Sequence, residues 1–91
     1  MTQSRSRRRR GVVLTDYGLG RVLDGQRRLA AENNSGRISL EAFSEEVGLS
    51  TRTLSRLLNR ASPVDFRTAE TLFFALHLVP NELDYRYAET Y

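Results

Sequence analysis

The chain has 91 residues and no cysteine or lysine, so its 14 cationic side chains are all arginines. That length suits one small domain, and without cysteine there are no disulfides, thiolate nucleophiles or cysteine-ligated metal centres. Arg5, Arg7, Arg8, Arg9 and Arg10 form one cationic run, leaving nine arginines against eleven carboxylates in residues 11–91; the net charge of +3 describes a basic arm on a slightly acidic body.

Residues 1–11 combine like charge with Ser and Gly and have nothing to bury, so they are expected to form a disordered arm. Residues 11–30 lack the continuous apolar stretch and small-residue cleavage site of a signal peptide, and no apolar run approaches the ~20 residues that cross a bilayer. A cytoplasmic protein with no membrane partner is the expectation. Thr15 and Asp16 suit the start of a first helix, in which Leu19, Val22, Leu23, Leu29 and Ala30 give a broken stripe weakened by Gly18, Gly20 and Gly25. Asn33–Gly36 forms the turn that ends it. Ser39 caps a second helix with Leu40, Phe43 and Val47 on one face, broken at Gly48. Ser50 caps a third, where Leu54, Leu57 and Leu58 recur at helical spacing. Asp65 caps a fourth helix running to about His77, and Pro80 opens a short fifth containing Glu82, Leu83 and Tyr85. No period-two alternation requires a strand. The expected fold class is all-α: five helices in a domain of residues 12–85, followed by a tail at 86–91.

Leu40–Asn59, LEAFSEEVGLSTRTLSRLLN, carries the most information. Two short helices joined by a tight turn gain stability by crossing steeply over other helices, as in a helix-turn-helix. Gly48 tolerates a positive φ at the turn, and Ser44 is small enough for close approach. Phe43, Val47, Leu49, Leu54 and Leu57 then supply the interior. The segment resembles the helix-turn-helix of the lambda-repressor-like (Cro/C1-type) family of prokaryotic DNA-binding domains, with Ser44 in place of the usual alanine. VDFRTAETLFFALHLVPNELDY resembles the following family segment, so the likeness covers about residues 15–85. A narrower likeness joins LTDYGLGRVL and RISLEAFSEEVGLS to small helix-turn-helix domains of cyanobacterial signalling proteins.

With its apolar positions inside, the third helix exposes Thr51, Arg52, Thr53, Ser55, Arg56 and Asn59, which are the candidates for reading base edges in the major groove of double-stranded DNA. Arg52 suits guanine; Arg56 suits either a base or a phosphate. Ser50, Arg60 and Arg67 are candidates for the backbone, and the Arg5–Arg10 arm for the backbone or a minor groove. Arg21, Arg27 and Arg28, beside Asp24 and Glu32, read as a solvated mixed-charge face. Glu41, Glu45 and Glu46 would repel phosphate if they faced it. Phe74, Leu78, Val79 and Tyr85 are surplus to one helical stripe and are candidates for a homodimer interface.

His77 has no metal-binding companions, and Gly18 and Gly20 lack the preceding strand that a phosphate-cradling loop needs. No enzyme activity, metal or cofactor is expected, and neither a sensing domain nor a small-molecule effector pocket fits this length. The reading is a small transcriptional regulator, a repressor rather than an activator. The alternatives are an antitoxin or accessory DNA-binding subunit with a protein partner, and a protein-interaction adaptor that binds no DNA.

Overall fold

The structure, a computed structural model, describes residues 10–32 and 37–89. Its elements run β1 (Arg10–Leu14), α1 (Asp16–Glu32), α2 (Leu40–Val47), α3 (Thr51–Asn59), α4 (Phe66–Ala75) and β2 (Tyr85–Glu89). Among the described residues, the expected all-α fold with five helices is therefore corrected to four helices and a two-stranded antiparallel sheet.

The two strands bring the chain's ends together, with Arg10 opposite Glu89 and Leu14 opposite Tyr85. On its other edge β1 is held by Val12, whose N–H and C=O exchange hydrogen bonds with Val64 at 2.7 and 3.1 Å. Gly11 through Leu14 are all buried. A strand covered on both faces reads as an unbroken apolar run, which is why GVVL carries no alternation. Arg10 and Gly11 thus belong to a strand instead of a disordered arm, and residues 85–89 to its partner instead of a helix and tail; residues 1–9 and 33–36 lie outside the described residues.

The fifth helix gives way to local side-chain chemistry. Asn81 Oδ1 accepts from the Leu83 N–H at 2.7 Å and Asp84 Oδ2 from the Asn81 N–H at 2.8 Å. These bonds offer the backbone a turn in place of a helix after Pro80. The fourth helix stops at Ala75, earlier than expected, because His77 adopts a left-handed φ of 63°. The Leu78 N–H then reaches back to the Phe73 carbonyl and that of His77 to Phe74, closing the helix in a Schellman arrangement.

α1 is clasped by this C-terminal segment. The Thr15 N–H donates to the Asp84 carbonyl at 3.0 Å, and Thr15 Oγ1 donates to the Leu83 carbonyl while accepting from the Gly18 N–H. A Cβ at Gly18 would run into the Asp84 backbone, and one at Gly25 would press on Leu76. A strand does precede Gly18 and Gly20, contrary to expectation. Both glycines nevertheless lie inside α1, so they form no loop around a phosphate. Asp84 is fully buried, with Oδ2 also accepting from Arg21 Nη1 at 2.5 Å. Its Oδ1 has no hydrogen-bond partner among the described residues. Arg21 therefore leaves the solvated face assigned to it, whereas Arg27 keeps to that face, paired with Asp24.

One core joins the elements. Val12, Leu14, Val22, Phe43, Val47, Leu54, Leu57, Val64, Ala69, Leu72, Phe73 and Leu76 form a single buried cluster, with β1 running between the helices and β2.

Candidate nucleic-acid interface

α2 and α3 are set by their caps. Ser39 Oγ accepts from the Ala42 N–H, and Ser50 Oγ from the Thr53 N–H, each at 3.1 Å. Each bond satisfies an amide that a helix leaves unpaired in its first turn. Gly48 ends α2 with φ 79°, where an L side chain is strained, and its N–H returns to the Ser44 carbonyl. Ser44 is buried and its hydroxyl is satisfied by the Glu41 carbonyl at 3.0 Å. The turn therefore leaves only three residues between the end of α2 and the start of α3.

Along α3 the side chains divide sharply. Leu54 and Leu57 are buried and Leu58 packs against the core, while Arg52, Arg56 and Asn59 are exposed. Neither the Arg52 nor the Arg56 side chain makes an ion pair or hydrogen bond among the described residues. No carboxylate lies within α3. The two guanidinium-bearing positions are four apart in the helix, about 6 Å along the axis and on one face.

The other candidates are more engaged. The Thr53 hydroxyl accepts from Ser50 Oγ at 3.0 Å, and Asn59 Nδ2 donates to Ser55 Oγ at 3.1 Å. Thr51 is half-buried at the first position of the helix. Arg60, in a left-handed C-cap with φ 54°, pairs with Asp16 at 2.7 Å. That carboxylate is 94% exposed, so the pair is weak and a phosphate could displace it. Arg67 is exposed in the first turn of α4. Asp65, expected to cap that helix, makes no side-chain capping bond. Arg5, Arg7, Arg8 and Arg9 lie outside the described residues, and Arg10 opens β1.

Of the four dimer candidates, Phe74 and Val79 are 52% and 71% exposed. Leu78 packs against the core, and the Tyr85 ring meets Phe66 at a 54° tilt with centroids 5.2 Å apart, so both contribute to the fold. Desolvation, with Tyr87 next in importance, pushes the Tyr85 hydroxyl above its ordinary pKa. Sequence reasoning missed the exposure of Tyr17, Leu83 and Tyr87. It also missed the Arg21–Asp84 pair, whose partners lie 63 positions apart.

Glu41, Glu45 and Glu46 are exposed on α2 and make no ion pair among the described residues. His77 is exposed, and with no fifth helix to pack against it borders a small depression with Arg28, Glu32 and Glu46. A larger, mostly apolar depression of about 480 Å³ lies between the end of α1 and the start of α2, lined by Gln26, Ala30 and Ile38 among others. No protein-family model matches the chain, and no curated protein or solved structure is significantly similar to it.

Proposed function

We propose that the chain is a small sequence-specific binder of double-stranded DNA that acts as a transcriptional regulator, repressing by occupying its operator. In this reading α2 and α3 form a helix-turn-helix, and α3 enters the major groove. The observation that carries it is the division of α3, with Leu54 and Leu57 buried and Arg52 and Arg56 exposed without a carboxylate partner among the described residues. Guanidinium groups left unneutralised on a helix with a rigid buried face suit phosphates and base edges. Arg67 suits a backbone phosphate, and the arginines at 5–9 add attraction independent of sequence. A homodimer through Phe74 and Val79 would present two such helices to a palindromic site.

The test is a titration of labelled duplex pools with the wild type and an Arg52→Ala/Arg56→Ala double variant at several salt concentrations. Enrichment of one short motif by the wild type, abolished in the double variant, is the expected result. Weak binding of every duplex, governed by salt alone, would overturn the reading in favour of an adaptor.

A second reading rests on the unpaired Glu41, Glu45 and Glu46 of α2. They suit a cationic protein partner, as in an antitoxin or accessory subunit. Copurification of such a partner, abolished by Glu45→Lys/Glu46→Lys, would support it.

A further inference from the structure

Resting on the reading of α3 as a recognition helix, we propose that its target contains two G·C pairs within three consecutive base pairs, one guanine read by Arg52 and the other by Arg56. The chemistry of the helix surface selects the base. Arg52 and Arg56 offer only donors, and guanine alone presents two acceptors, O6 and N7, to a guanidinium fork in the major groove. The amino groups of adenine and cytosine need acceptors, and α3 contains no carboxylate to supply one. Among its other polar side chains, the Thr53 hydroxyl accepts from Ser50 and Asn59 Nδ2 donates to Ser55, so both are drawn along the helix surface. Arg60 is drawn to Asp16 on α1, outside the row.

The helix geometry then selects the spacing. An i, i+4 pair is separated by about 6 Å along the axis, and stacked bases rise by about 3.4 Å per step. Two arginines reaching from one helix face therefore meet bases one or two steps apart. The guanines can lie on either strand, because both strands display their base edges in the same groove.

Bound duplexes selected from a pool with a randomised centre, for the wild type, R52A and R56A, test the assignment. The wild-type consensus is expected to hold both G·C pairs, and each single variant to lose the requirement at one of them. Changing either guanine should weaken wild-type binding about 5- to 150-fold, the range of one bidentate contact. It should leave the variant lacking the matching arginine nearly unaffected. Replacing the guanine with 7-deazaguanine, which removes N7 alone, should weaken the wild type in the same position-specific way. R52K keeps the charge and a donor-only head without the planar fork, so it should keep the salt dependence and a weakened preference for guanine at the same position. A consensus built of A·T pairs, or indifference to 7-deazaguanine, would overturn the guanine assignment and leave DNA reading intact. The absence of any consensus would overturn both.

Discussion

Glycine makes opposite demands at two neighbouring sites in α1. Gly18 is pressed against the Asp84 backbone, whereas nothing lies within 4 Å of where a Gly20 side chain would start. Gly18→Ala should therefore destabilise the fold by about 1–3 kcal/mol through overpacking. Gly20→Ala should stabilise it by about 0.5–1 kcal/mol through reduced backbone entropy in the unfolded chain. Urea denaturation of the two variants measures both signs. His77, exposed with φ 63°, predicts a third: His77→Gly should raise stability by about 1 kcal/mol by relieving the left-handed backbone. The sequence marked all of α1's glycines as weak points without distinguishing them, because their value depends on residues more than fifty positions away. The polar and apolar division of α3 was legible, since helical spacing and the Ser50 cap are local. The ties of Arg21 to Asp84 and Arg60 to Asp16 were not, because those partners lie 63 and 44 positions away.

Among the elements, the β1–β2 ribbon departs furthest from expectation. A two-stranded sheet is marginal alone; here Val12 and Leu14 are buried in the core, Val64 secures the outer edge of β1, and the Asp84 carboxylate ties the approach to β2 onto α1. Arg21→Leu would leave that carboxylate buried without its counter-charge. The expected loss is about 3 kcal/mol, accompanied by faster hydrogen exchange in residues 11–14 and 85–88. Unchanged exchange there would mean that the pair does not hold the ribbon. These strands were hidden for different reasons. GVVL has no polar face to alternate with, and YRYAE follows a proline that suggested a helix until the Asn81 and Asp84 side chains redirected the backbone. α2 and α3 were readable in outline because a serine starts each of them, and a glycine ends α2.

At the scale of the whole molecule, charge separates into the arginine run at the N-terminus, the Arg52–Arg56 row on α3 and the acids of α2. In the proposed DNA-binding reading these regions have different parts. Deleting residues 1–9, which spares β1, should weaken binding to all duplexes and flatten its salt dependence. The log–log slope should fall by about 0.9 for each phosphate that the arm neutralises. Sequence preference should survive, because α3 remains. Retention of the full salt slope would show that the arm neutralises no phosphate.

Amide chemical-shift mapping during titration with a selected duplex tests the placement of DNA on α3 most directly. The predicted perturbations centre on residues 50–60, extend to Arg67 and lose their α3 component in the Arg52→Ala/Arg56→Ala variant. Perturbations centred on Glu41–Glu46 or on Phe74 and Val79, with α3 silent, would contradict recognition through this helix.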